Sequence, residues 1–255
     1  MLRALGVIPA RYASTRFRGK PLAPLGNRTL LEEVWRKARG ATRLSRLIVA
    51  TDDQRIADSC NSYGAEAWMT SEKHLSGTDR AAEVLHRCRE QGDTYDVVLN
   101  VQGDEPMISP ASLDRLLEVF ETAPATEMAT LCEGLDDEAE FQNPNVVKVV
   151  TDNNGRAMYF SRAPIPHPRS GRFDPGVCRK HQGIYAYRSE VLEKLTQMPA
   201  AGLETAESLE QLRALAAGYT VQVIESDFHS IGVDTPEDLQ RVAALLAGTT
   251  EDTVP

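Results

Sequence analysis

Up to about residue 125 this chain alternates apolar runs of strand length with amphipathic runs of helix length, and few folds accept that pattern. "ALGVIPA" opens it as a strand. "TLLEEVWRKARG" follows as a helix, with Thr29 as N-cap, Glu32 at the capping-box position, and Leu30, Leu31, Val34 and Ala38 on one face. "RLIVAT", "AEAWM" and "YDVVLNVQ" read as further strands. "DDQRIADSCNSYG", "TDRAAEVLHRCREQ" and "SPASLDRLLEVFE" read as the helices between and after them. Short connections make this a β-α-β-α succession, which predicts an α/β fold: a mostly parallel central sheet flanked by helices, Rossmann-like in outline. Ligands of such sheets bind beyond the carboxyl ends of the strands.

The texture changes after residue 125. "EMATLCE", "NVVKVVTDNNGRAMYFSRA" and "KHQGIYAYRSE" are strand-like with no long helix between them, and Asn154-Gly155 marks a hairpin turn. An antiparallel portion appended to the parallel sheet is expected. "PIPHPRSGRFDPGVC" reads as a mobile loop. "LETAESLEQLRALAAG" reads as one helix and "YTVQVIES" as a late strand. The last helix, "TPEDLQRVAALLAG", has Thr235 as cap, Pro236 in its first turn, and Glu237 and Asp238 at the positive end of its dipole. The chain is expected to form one domain over 1–248, with halves at about 1–125 and 126–230, a closing segment at 231–248, and a frayed tail at 249–255.

With 42% hydrophobic residues the chain can bury a core of its own. Its net charge of −9 argues against a nucleic-acid or anionic-membrane binder. Cations concentrated in one loop of an acidic chain therefore point to a small anion. Cys60, Cys88, Cys132 and Cys178 have no CxxC spacing, which excludes a zinc knuckle or a redox dithiol. No apolar run reaches the ~20 residues of a membrane span. Pro9 and Arg11 interrupt any signal-peptide core. A reducing, cytoplasmic setting is expected.

Five constellations carry chemistry. "RYASTRFRGK" puts Arg11, Arg16, Arg18 and Lys20 in a glycine-containing loop after the first strand. Backbone amides and cations there can cradle phosphates, although neither GxxxxGK[ST] nor GxGxxG is present. "NVQGDEP" ends a buried strand at Asp104, either a turn former or a Mg²⁺ ligand. "SIGVDTPEDL" offers Asp234, which is spare because Thr235 already caps the helix. Two carboxylates from distant positions suit one Mg²⁺ that keeps substrate phosphates as its other ligands. "SGTDR", Ser76 to Arg80, enters a helix, and serves either as a plain cap or as an anion or base reader. In the second half, Arg162, Lys180, His181, Tyr185, Glu210, Gln211 and Arg213 offer groups for a polyhydroxylated acid, each with an ordinary structural role as its alternative.

Taken together, "IPARYASTRFRGKPL", "SGTDR", "NVQGDEPMI", "NPNVVKVV", "YFSRAPIP", "KHQGIYAY", "LEQLR" and "GVDTPEDL" resemble the 3-deoxy-manno-octulosonate cytidylyltransferases from about residue 5 to 245. Phe17-Arg18 departs from the family's Leu-Pro, and the Arg-rich segment before Lys180 is shortened. The resemblance implies Mg²⁺-dependent transfer of CMP from CTP to 3-deoxy-manno-octulosonate (Kdo), with release of pyrophosphate, for lipopolysaccharide synthesis. It implies Arg11, Ser14, Arg16, Lys20, Ser76, Gly77, Arg80 and Gln102 on the nucleotide and Gln102, Arg162, His181, Tyr185, Glu210 and Gln211 on the sugar. Asp104 and Asp234 hold the metal, and Lys20, Asp104 and Asp234 form the catalytic set. It also implies a homodimer built through the antiparallel part. Rivals are a cytidylyltransferase for 8-amino-Kdo or a sialic-acid-like sugar, a glycosyltransferase (disfavoured by the lack of DxD), and a non-catalytic nucleotide sensor.

Overall fold

A computed structural model describes residues 2–13 and 17–248. The first half follows the alternation. Strands β1 (Ala4–Ala10), β4 (Leu44–Thr51), β5 (Ala67–Met69) and β6 (Val97–Asn100) alternate with helices α1 (Leu30–Arg39), α2 (Gln54–Ser62), α3 (Gly77–Glu90) and α4 (Pro110–Thr122). A small ribbon, β2 (Pro24–Leu25) with β3 (Arg28–Thr29), precedes α1. The second half holds β7 (Met128–Gly134), α5 (Glu138–Gln142), β8 (Lys148–Thr151), β9 (Ala157–Ser161), β10 (Arg179–Arg188), α6 (Ser189–Gln197), α7 (Gly202–Glu207), α8 (Gln211–Ala216), β11 (Val221–Glu225) and α9 (Pro236–Gly248).

The central order is β11-β7-β10-β6-β1-β4-β5. Every neighbouring pair is parallel except those made by β10, which runs antiparallel to both β6 and β7. The expected antiparallel portion is therefore only partly an appendage. The β8–β9 hairpin hangs off β10, but β10 itself lies in the middle of the sheet, and β7 and β11 continue its parallel sense beyond it. Residue pattern alone does not reveal that insertion, since a strand buried on both faces reads alike in either direction.

Two apolar layers cover the sheet. Leu31, Ile56 and Leu113 from α1, α2 and α4 pack with Ile8, Val49 and Leu99 on one face. Val84, Leu192 and Leu212 from α3, α6 and α8 pack with Val7, Ile48 and Val98 on the other. The period-two alternation along β1, β4 and β6 sorts neighbours onto opposite layers. A third cluster, Leu25, Leu30, Val233 and Val242, binds α9 to the β2–β3 ribbon and so to the opening loop.

Local expectations meet three corrections. Thr29 accepts from the Glu32 amide as predicted, but the Glu32 carboxylate turns to Arg36 instead of back to the cap. The helix expected over 203–218 is two helices, broken at Ser208, which takes φ 53°. Arg162 holds that break by donating to the carbonyls of Glu207 and Ser208. Helix α6, not anticipated, follows β10 directly and adds Leu192 and Leu195 to the second layer. In the loop read as mobile, Phe173 packs on Phe141.

Candidate functional site

The site forms where β1 and β6 end. Gly19 sits at φ 74°, its amide donates to the Tyr12 carbonyl, and a Cβ there would stand 3.2 Å from the Tyr12 ring. A side chain would strain that turn, which delivers Lys20 at the start of a 3₁₀ turn over Lys20–Leu22. Gly103 serves the facing loop: a Cβ there would lie 2.8 Å from the Pro9 carbonyl oxygen. Only glycine lets the segment after β6 approach β1 so closely, and Asp104 comes with it.

Asp234 arrives from the far end of the chain. Thr235 caps α9 reciprocally with Asp238, whose carboxylate accepts from the Asp234 and Thr235 amides while the Thr235 hydroxyl accepts from the Asp238 amide. The Asp234 carboxylate is not needed at the cap, as the sequence implied. A backbone bond from Val233 to the Asp104 carbonyl ties the two segments together. The Lys20 ammonium then lies 2.6 Å from Asp104 and 3.3 Å from Asp234.

That ammonium tests the fit of a cation to the pair. One positive atom already touches both carboxylates, and both remain partly open to solvent, at 31% and 44% side-chain exposure. Among the described residues no group of three or more His, Cys, Asp or Glu converges on a metal position. Two carboxylates with an open side match a Mg²⁺ that takes its other ligands from water and substrate. Beside them Glu105 is buried, accepts from the Ser230 hydroxyl, and has its carboxyl pushed up to about 7 by burial and the Asp104 charge.

A cavity of about 220 Å³ adjoins this corner. It is lined by Gly77, Gln102, Tyr185, Glu210 and Gln211, all expected from sequence, by Arg213, which the sequence also offered, and by Asn100 and Thr78, which lie in "NVQGDEP" and "SGTDR" but were given no role of their own. Gln102 links the two sites: its side chain borders the cavity and Asp104 follows two residues later. The Arg213 guanidinium is spent on Glu204 and the Leu195 carbonyl.

Other candidates are engaged elsewhere. The Arg80 side chain is fully buried and donates to Asp52 and Thr70, each at 2.6 Å. Arg162 gives its guanidinium to the carbonyls of Pro144, Glu207 and Ser208, which makes it a clamp in this structure. The Ser76 hydroxyl caps α3 in a reciprocal box with Asp79. His181 packs between the Phe160 and Tyr185 rings, and Thr130 is 3.0 Å from its Nε2. The Thr130 proton goes to the Ile184 carbonyl, so Nε2–H is the donor to Thr130, and burial pushes the imidazole down to about 3. Lys180, offered as a sugar ligand, pairs with Glu133 and donates to the Ser230 carbonyl. Arg11 donates to the His74 carbonyl. Ser14 and Arg16 lie outside the described residues, as does the 249–255 tail.

Known proteins resemble this chain over nearly all of its length. Residues 5–226 match a family model described as cytidylyltransferase. The 3-deoxy-manno-octulosonate cytidylyltransferase of Solibacter usitatus is 46% identical over 230 residues, 90% of this chain and 89% of that protein. The same-named protein of Syntrophotalea carbinolica is 47% identical over 233 residues, 89% and 91% of the two chains. A solved CMP:2-keto-3-deoxy-manno-octonic acid synthetase complexed with CTP superposes with a TM-score of 0.90 at 42% identity, over 97% of this chain and 99% of that one. A Bacillus anthracis protein described as a putative glucose-1-phosphate thymidylyltransferase, 17% identical with a TM-score of 0.63 over 95% and 94%, shares the fold alone. With matches of this identity over nearly all of its length, the chain belongs to the 3-deoxy-manno-octulosonate cytidylyltransferase family.

Proposed function

We propose that this protein transfers CMP from CTP to the anomeric 2-hydroxyl of Kdo and releases pyrophosphate. The observation that carries the reading is Lys20 held between Asp104 and Asp234, with Asp104 two residues along the chain from Gln102, which lines the cavity with Tyr185, Glu210 and Gln211. The hydroxyl oxygen forms a bond to the α-phosphorus, the bond from that phosphorus to the pyrophosphate oxygen breaks, and the hydroxyl proton passes to solvent.

An anionic sugar acid meets a triphosphate here, so like-charge repulsion dominates the barrier. Lys20 supplies a charge-assisted donor to phosphate oxygens, and Arg11 adds guanidinium N–H groups beyond the one given to His74. Asp104 and Asp234 would hold Mg²⁺. When bound, that ion neutralises phosphate charge and lowers the pKa of the attacking hydroxyl. Gln102, between the corner and the cavity, orients the sugar toward the α-phosphate. Glu210 and Gln211, side by side where α8 begins, receive its hydroxyls. Catalysis is then positioning and electrostatics, as expected for nucleotidyl and phosphoryl transfer. The reading includes a homodimer and a cytoplasmic setting; four buried thiols suit a reducing compartment, and among the described residues no helix is long and apolar enough to cross a membrane.

The test is pyrophosphate release with CTP and Mg²⁺, run in parallel with Kdo, 8-amino-Kdo and N-acetylneuraminate. Release with Kdo is expected. Release only with another acid would leave the phosphate corner in place and overturn the sugar assignment.

A further inference from the structure

The residue that ends β6, Asn100, is 1% exposed, and its side-chain oxygen has no hydrogen-bond partner among the described residues. Its surroundings are well defined. In the antiparallel β10–β6 pair Asn100 stands directly opposite Tyr185, so both side chains leave the sheet on one face, toward α3 and the cavity. Its amide nitrogen lies on the Gly77 side, 3.8 Å from where a Cβ at that glycine would stand. That leaves the unmatched oxygen as the group still to be satisfied. A buried amide oxygen without a donor costs about 1–3 kcal/mol, and because Asn100 is a wall residue of the cavity, a ligand there that brings a donor would relieve that cost.

The rest of the wall says which kind of donor. Glu210 is an acceptor, and the one guanidinium of the lining, Arg213, is consumed by Glu204 and the Leu195 carbonyl. The Thr78 hydroxyl is turned to the Tyr187 phenol. The wall is thus neutral amides and hydroxyls with one carboxylate, Glu210, and it suits hydroxyl groups better than a carboxylate.

We propose that Asn100 reads the sugar directly, its Oδ1 accepting a hydrogen bond from a hydroxyl of the bound polyhydroxy acid, and that this bond sets sugar selectivity without touching nucleotide binding. The inference rests on the sugar assignment proposed above. Asn100 opens the "NVQGDEP" stretch at the end of β6, four positions before Asp104, where the sequence alone gave it no role of its own.

The experiment compares the wild-type enzyme with Asn100→Ala and Asn100→Ser, using Kdo and a set of Kdo analogues each lacking one hydroxyl. KM for sugar, KM for CTP, kcat and melting temperature are measured for each. The expected result is a rise of about 10-fold in the KM for Kdo, with the KM for CTP within twofold. One deoxy analogue should be used poorly by the wild type, yet no worse than Kdo by Asn100→Ala. Melting temperature should hold or rise, since an unmatched polar group is removed. A fall in melting temperature with both KM values moving together would assign Asn100 a structural role and overturn the inference. So would an unchanged KM for Kdo. If Asn100→Ala does not fold, Asn100→Ser decides by the same criteria. A wild-type enzyme inactive on Kdo would overturn the functional reading and this inference with it; an active wild type beside an unaltered Asn100→Ala overturns this inference alone.

Discussion

Lys20 and Arg80 are two cations that the sequence offers as phosphate ligands, and the fold treats them in opposite ways. Lys20 stands between two carboxylates that remain 31% and 44% exposed. Arg80 is sealed at 0% exposure against Asp52 and Thr70. In the first cluster both carboxylates stay partly open to solvent, so a further cation can reach them. The second is a closed pair, with its counter-ion supplied by the residue after β4. On the proposed reading, a cation serves as a substrate ligand here when the fold leaves its partners partly open, and charge and loop position alone do not decide it.

The largest expected effect falls on the open cluster. Asp104→Ala and Asp234→Ala should each lower turnover by at least about 100- to 1,000-fold, with melting temperatures near wild type because both carboxylates are partly solvated. Chelation of Mg²⁺ should reproduce the loss. Near-normal turnover of either variant at saturating Mg²⁺ would break the shared-cation reading. Arg80→Leu tests the closed pair: it strands Asp52 and should cost roughly 3–5 kcal/mol of stability, read by denaturant unfolding. The enzyme that stays folded should keep its KM for CTP. A raised KM with undiminished stability would return Arg80 to the nucleotide.

Lys20→Ala should reduce kcat/KM for CTP on the order of 10- to 100-fold, the loss of a charged hydrogen bond, with less effect on the KM for Kdo. Equal effects on both substrates would remove Lys20 from the triphosphate. The smallest effect concerns His181. Burial lowers its folded value to about 3 from an ordinary 6.5. Its contribution to stability is therefore complete above pH 6.5 and is lost as pH falls from 6.5 toward 3, because only the unfolded chain binds the proton. The slope is about 1.4 kcal/mol per pH unit for one group. His181→Gln should flatten the acid limb of a melting-temperature profile between pH 7 and 5, and an unchanged limb would assign that slope to other groups.

Much of this protein was legible in its order of residues. Alternating strand and helix patterns specify their own local structure, since burial of one face at period 2 or 3.6 is decided within a dozen residues. The Thr235–Asp238 box is equally local, and it caps α9 without the Asp234 carboxylate. Lys20, Asp104 and Asp234 were legible as candidates because glycine turns and strand ends mark them. What only tertiary structure decided is who meets whom. The insertion of β10 between β6 and β7 rests on pairing across more than eighty residues. That pairing places Tyr185 opposite Asn100 and creates the cavity. Asp52 neutralises Arg80 from twenty-eight residues away. Arg162 folds back on a helix break that periodicity reads as continuous helix. Each depends on long-range packing, where one contact selects among several locally acceptable states, and no window of sequence contains both of its partners.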